Sequence, residues 1–191
     1  MTDDPLARVR TWLDEAIAAG MPEPAGTALA TASRDGVPSV RYVLLRGVDE
    51  RGLRFFTNYG SRKGRELDDN PIAALALWWP AMERQLRAEG PVERLSADES
   101  DAYFASRARG SRLGAWASRQ GSVIPGRDVL DDKLAALGEQ YGEEVPRPEF
   151  WGGYLLRPTA IEFWEGRANR LHDRTHYLRE GDGWRSERLS P

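Results

Sequence analysis

The sequence predicts an α+β fold that is mainly β: an antiparallel barrel with peripheral helices. Three observations carry this expectation. Short β-type runs recur along the chain, each closed by a turn signal. Only a few segments keep helical spacing. The 191 residues suit one domain with a sizeable core, and 1–191 is read as that single domain.

An amphipathic helix over about 5–19 opens the chain, with Leu6, Val9, Leu13 and Ile17 at spacings of three and four and Pro5 in its first turn. Gly20-Met21-Pro22 ends it. The runs Thr27–Thr31, Ser39–Leu45 and Leu53–Thr57 read as strands, separated by the turns Arg34-Asp35-Gly36 and Asp49-Glu50-Arg51-Gly52. A short helix is expected from Ser61, stopped by Asn70-Pro71, before the strand runs Ile72–Trp79 and Gln85–Leu95. Ser96 and Glu99 form a capping box, which predicts a helix through Tyr103 and Phe104. Leu130, Leu134, Leu137 and Tyr141 mark one more helix. Strands return at Gly153–Arg157, Ile161–Trp164, Thr175–Leu178 and Trp184–Leu189.

Composition excludes several function classes. With 27 Lys+Arg against 30 Asp+Glu and a net charge of -3, the chain lacks the basic field of a general nucleic-acid binder. No apolar run approaches the roughly 20 residues that span a bilayer, and the acidic start Met1-Thr2-Asp3-Asp4 is unlike a secretory signal. With no Cys and only His172 and His176, neither thiolate chemistry nor a metal site is expected. The expectation is a soluble cytoplasmic protein.

Four clusters could carry chemistry. Arg41 and Arg46 flank an apolar strand and, five apart, face opposite ways unless the strand bends. Each needs an anion or a carboxylate, so a structural ion pair competes with a bound phosphate or an electron-rich ring. Ser61-Arg62-Lys63-Gly64-Arg65 puts cations at a helix start, where they oppose the macrodipole unless an anion binds; the alternative is a solvated basic turn. Tyr103 and Arg107, four apart on the expected helix, share a face, and Ser111 follows a Gly110 turn; this reads as a second phosphate cradle or as a surface Tyr–Arg pair. Arg170, His172 and Arg174 lie beside Trp164, with Arg170 and His172 on one face if extended; His172 is either structural or catalytic. His176 reads as surface. Two phosphate cradles with aromatic groups indicate two phosphorylated ring ligands.

These residues make the chain recognisable. Arg41–Arg46, Phe56-Thr57-Asn58 with Ser61-Arg62-Lys63, Glu83-Arg84-Gln85, Tyr103-Phe104 with Ser106-Arg107, and Gly114–Ser118 occur in order. Phe150–Gly153, Ile161–Trp164, Arg170–Arg174 and the ending Glu187–Pro191 follow. From about Thr27 to Pro191 the chain resembles the pyridoxine/pyridoxamine 5'-phosphate oxidases. The resemblance implies an FMN-binding split β-barrel, a homodimer with flavin at the subunit interface, and oxidation of pyridoxamine or pyridoxine 5'-phosphate to pyridoxal 5'-phosphate with O2 as acceptor and H2O2 as product. It implies FMN contacts from Arg41, Tyr42, Val43, Leu44, Leu45, Arg46, Phe56, Thr57, Arg62, Lys63, Gln85, Gln120, Gly121, Trp164 and Arg174. The substrate phosphate falls to Arg46, Tyr103, Arg107 and Ser111, and the substrate ring to Arg170, Leu171 and His172, with Arg170 and His172 catalytic. Arg46, Phe56 and Gly121 stand where the family usually has Lys, Tyr and Ser, and no counterpart of the family's longer N-terminal arm precedes Leu6. Two alternatives are an FMN oxidase of another ring, as in the similar phenazine-biosynthesis oxidases, and a non-catalytic flavin, haem or pyridoxal-phosphate binding module.

Overall fold

The computed structural model describes residues 4–191; Met1-Thr2-Asp3, part of the acidic start, lies outside the described residues. Helix α1 spans Pro5–Ala18. Asp4 caps it by accepting from the Leu6 and Ala7 amides at 3.0 and 3.2 Å. The buried stripe is Leu6, Val9, Trp12 and Ala16, which corrects the expected one. Ile17 is 56% exposed and Leu13 only half-buried. The indole of Trp12 explains the rotation: it packs edge-on against Trp79 at 6.2 Å and Phe163 at 4.9 Å, with the guanidinium groups of Arg8 and Arg84 over its faces.

The next elements are β1 (Gly26–Ala32), β2 (Pro38–Asp49), β3 (Gly52–Asn58), α2 (Arg62–Asp69), β4 (Ile72–Trp79) and β5 (Arg84–Arg94). Then come α3 (Ala97–Ser106), α4 (Arg109–Ala117), α5 (Asp128–Gln140), β6 (Trp151–Leu156), β7 (Ala160–Glu165), β8 (Asp173–Glu180) and β9 (Gly183–Arg188). The order β4-β1-β2-β3-β6-β5, with β4 also paired to β5, closes a six-stranded antiparallel barrel. Strand β5 changes partner along its length. Arg84–Glu89 pairs with β7, whereas Val92–Arg94 pairs with β6. The β7-β8-β9 extension therefore leaves the barrel at one half of β5. Leu29, Phe55, Leu77, Leu86, Leu156 and Phe163 fill the interior.

A second, smaller core of Phe104, Leu113, Val145 and Trp151 lies under α3 and α4. The Ser96–Glu99 capping box forms as expected. Helix α4 was not expected: Gly110 lies inside it rather than in a turn. Helix α5 occurs where expected, but buries no side chain completely. Gly153 on β6 faces Phe56 on β3. A Cβ there would come within 2.7 Å of the Phe56 ring, so the glycine leaves room for that ring.

Trp12→Ala should cost about 3–5 kcal/mol in urea unfolding, whereas Ile17→Ala should stay within about 0.5 kcal/mol. Equal costs would place the docking face of α1 on the wrong side.

Candidate functional site

A cleft of about 880 Å³ opens between β2, β3 and the α3–α4 pair. Of the expected residues, Tyr42, Val43, Leu44, Arg46, Phe56, Thr57, Lys63, Tyr103, Arg107, Ser111 and Gln120 line it. An adjoining hollow of about 400 Å³ takes in Arg41, Arg62 and Gly121, together with Lys63 and Gln120. The register of β2 against β3 shifts between Leu45 and Gly47. Despite this bulge Arg41 and Arg46 stay apart, as their spacing of five predicts: Arg41 is absent from the cleft lining. Arg46 lines the cleft, while the Leu45 side chain turns into the barrel core.

Arg41 realises the ion-pair reading. Its guanidinium donates to Leu29 O at 3.1 Å, to Thr31 Oγ1 and Ser39 Oγ, and to Glu66 Oε2 at 3.2 Å. Glu66 also accepts from Thr31 at 2.5 Å, Ser39 at 2.6 Å and Arg62 at 2.7 Å. Burial alone would raise its pKa, but these four donors outweigh it and hold the carboxyl at about 2.

Lys63, 7% exposed, has no carboxylate partner among the described residues. Ser61 caps α2 through the Gly64 amide, and so sets Lys63 in the first turn. Its ammonium donates to Gln120 Oε1 at 2.9 Å, Thr57 Oγ1 at 3.2 Å and Ser61 Oγ at 3.4 Å. Burial first, and Arg41 second, push its pKa down to about 8. A buried cation held only by neutral oxygens, at a helix start, is a receptor for an anion.

Arg107 repeats this pattern. Its Nη1 is buried without a hydrogen-bond partner. Burial lowers its pKa, Tyr103 opposes the shift, and Arg46 adds to it. Tyr103 stacks on Phe56 at 3.8 Å. The shared helix face expected for Tyr103 and Arg107 does not form, because Arg107 caps α3 in an extended conformation (φ -78°, ψ 148°). The chain's turn between α3 and α4 brings Arg107 to the cleft instead, and Ser111 reaches it from within α4.

Gln85, Trp164, Arg170, Leu171, His172 and Arg174 do not line the cleft. Gln85 is on β5, Trp164 on β7 and Arg174 on β8, Arg170, Leu171 and His172 lie in the turn between β7 and β8, and β5 lies across the ring from β2. Trp164 pairs in register with Gln85 and Arg174, and its ring lies 4.4 Å from that of His172. The Nδ1 of His172 accepts from the Arg167 amide at 3.1 Å. Arg170 is not extended as expected. It has φ +61° and follows Asn169 at φ +59° in a 3-10 turn. Leu171 is 69% exposed. His176 is half-buried rather than on the surface, its Nδ1 3.2 Å from Glu187 Oε1. Asn58, Ser118 and Trp151 also line the cleft; only the motifs around them marked these residues in the sequence. Among the described residues, no cluster of three His, Cys, Asp or Glu could hold a metal, and no helix is long and apolar enough to cross a membrane.

A closed barrel with an open cationic cleft on its wall defines the class, a split-barrel protein. Family comparison narrows the class. Residues 13–141 match the model described as pyridoxamine 5'-phosphate oxidase. Residues 151–191 match the pyridoxine 5'-phosphate oxidase C-terminal dimerisation region. The pyridoxine/pyridoxamine 5'-phosphate oxidase of Thermosynechococcus vestitus is 57% identical over 99% of this chain and 90% of its own. That of Cupriavidus taiwanensis is 56% identical over 98% and 89%. A crystal structure of PhzG from Burkholderia lata, in complex with tetrahydrophenazine-1-carboxylic acid, superposes with a TM-score of 0.93 at 34% identity, covering 98% of this chain and 93% of that one. The chain belongs to the pyridoxamine 5'-phosphate oxidase family.

Because the folded pKa of Lys63, about 8, lies below its ordinary 10.5, the unfolded chain binds more protons between these values. Ligand-free protein should therefore gain stability as pH rises from 8 to 10.5. Lys63→Met should flatten that rise, seen as the difference in Tm between variant and wild type. Parallel Tm profiles would show that Lys63 carries no such strain.

Proposed function

We propose that this chain is an FMN-dependent oxidase that converts pyridoxamine 5'-phosphate and pyridoxine 5'-phosphate to pyridoxal 5'-phosphate, reducing O2 to H2O2, in vitamin B6 salvage. The observation that carries this reading is a pair of cations, Lys63 buried and Arg107 half-buried, that face one cleft without carboxylate partners among the described residues. Cofactor and substrate each bring one phosphate, and the cleft volume suits ring-sized ligands.

The residues present fit FMN. Lys63 and Arg62, at the start of α2, offer charge-assisted donors to its phosphate. Gln120 and Thr57 hold Lys63 in place, and Arg41, Tyr42, Val43, Leu44, Arg46, Phe56 and Gly121 make up the wall along the flavin, with Leu45, its side chain in the core, offering only its backbone. When bound, FMN would supply a two-electron acceptor for the hydride equivalent lost by the substrate, with O2 as the terminal acceptor. Arg46, Tyr103, Arg107 and Ser111 hold the substrate phosphate and so fix the distance of the ring from the cofactor. Arg170 and His172 orient the C4' substituent, with Arg170 aiding removal of its proton, and Leu171 covers the ring. For the amine substrate, water supplies the aldehyde oxygen and ammonia leaves.

This division requires two chains. Trp164, Arg170, Leu171, His172 and Arg174 belong to the segment matching the dimerisation region, and none lines its own chain's cleft. In a homodimer, a second copy supplies them together with Gln85. A second reading, oxidation of a carboxylated polycyclic ring, is favoured by the superposition on PhzG. It predicts turnover without a substrate phosphate.

Reconstituted with FMN and assayed in air, the protein should form pyridoxal 5'-phosphate and peroxide in equal amounts from either substrate. Bound flavin that stays oxidised with both substrates, even without oxygen, would exclude this activity. Arg107→Ala should raise KM about tenfold to a hundredfold, the equivalent of roughly 1.5–3 kcal/mol for a lost charged hydrogen bond. An unchanged KM would remove Arg107 from the phosphate site.

At a substrate concentration near the wild-type KM, where both variants are impaired, mixing Arg107→Ala and His172→Ala proteins with exchange of subunits should raise activity above either alone, because each mixed dimer rebuilds one intact site. A mixture no more active than its components would place both residues in one chain's site.

A further inference from the structure

We propose that Trp151 is the positioning residue of the substrate-phosphate site, its indole face holding the Arg107 guanidinium without neutralising it. The proposal rests on the reading of the cleft as a phosphate site. The Arg107 Cζ lies 4.7 Å from the centroid of the Trp151 ring, within cation–π range. Phe104, the other ring near that guanidinium, is 5.5 Å away and meets Trp151 edge-on at 5.1 Å. Trp151 is itself fixed, at 7% exposed. Its ring is nearly parallel to those of Phe56 (5.7 Å, 17°) and Tyr103 (6.2 Å, 7°). The Trp151 carbonyl accepts from Arg147 at 2.7 Å, and its backbone pairs with Asn58 in the β3–β6 ladder.

A carboxylate at this place would orient Arg107 equally well, but it would cancel the charge that an incoming phosphate needs. An aromatic face orients the guanidinium plane and leaves its N–H edge free to donate. Buried Nη1, without a partner, is such a free donor. Trp151 thus preorganises a full positive charge beside Arg46 and Tyr103. Its role concerns the substrate, although it is the first residue of the segment matching the dimerisation region.

The test is calorimetric titration of the FMN-loaded dimer with pyridoxal 5'-phosphate and, separately, with pyridoxal. Trp151→Leu should weaken pyridoxal 5'-phosphate binding about tenfold, as loss of a desolvated cation–π contact predicts. Trp151→Phe, which keeps an aromatic face and conserves the core, should weaken it by less. Neither variant should change pyridoxal affinity. Trp151→Phe decides the matter if the leucine variant does not fold. The proposal is overturned if the folded variants bind pyridoxal 5'-phosphate like wild type, or if both ligands weaken together, as a merely structural residue requires. Arg107→Ala separates the two levels of the argument. If it too leaves pyridoxal 5'-phosphate binding intact, the phosphate site itself is misassigned. If it weakens binding while the Trp151 variants do not, only the role of Trp151 falls.

Discussion

Two cations without carboxylates, Lys63 buried and Arg107 half-buried, govern the architecture of the candidate site. A charge taken out of water costs several kcal/mol unless something compensates it, and most arginines of this chain have an acidic partner. Lys63 and Arg107 have none, and their lowered pKa values are the signature of that deficit. The ligand-free fold therefore carries a local instability that an anion relieves. The surrounding barrel, with its interior of large aliphatic and aromatic side chains, must be stable enough to bear that cost.

The barrel supplies that support through backbone geometry. Strand alternation lets β2 serve two surfaces, sending Leu45 into the core and Tyr42, Leu44 and Arg46 into the cleft. The Phe56–Gly153 pairing in the β3–β6 ladder lets an aromatic ring lie against the sheet, and on that ring Tyr103 stacks. The change of partner along β5 carries Trp164 and His172 away from the chain's own cleft.

Much of this was legible in the sequence, and the failures have physical causes. Strand positions were readable because turn residues bound each apolar run, as at Asp49–Gly52. The Ser96–Glu99 box marked α3 because it satisfies two orphan groups at once. Helix α4 left no such mark. Ala108 at its start makes no side-chain cap, and Gly110 and Gly114 inside it read as turn signals. On α1, residues 6-9-13-17 and 6-9-12-16 fit the helical period equally well. Hydropathy favoured Ile17, but the flat area of Trp12 fits the junction of Trp79 and Phe163. In the site, residue types and spacing revealed cations. Whether each had a carboxylate partner is a long-range property that no local pattern contains: Arg41 meets Glu66 across 25 residues.

Glu66 and Glu162 complete the logic. Glu66, on the buried face of α2, binds Arg41 and Arg62. Glu162, 3% exposed on β7, binds Arg87 and Arg174. Burial would raise the pKa of Glu162, and its arginines hold it below the ordinary value. Each glutamate thus fixes an arginine pair beside one of the two groups of candidate residues, and remains ionised while doing so. Arginines gripped in this way are oriented and partly neutralised, although exposed Arg62 is held through Nε and keeps its Nη groups to donate. Lys63, Arg107 and Arg46 line the cleft without a carboxylate partner among the described residues. The carboxylates are therefore as selective as the cations: by pairing with Arg41, Arg62, Arg87 and Arg174, none of which lines the cleft, they leave its positive charge to Lys63, Arg107 and Arg46.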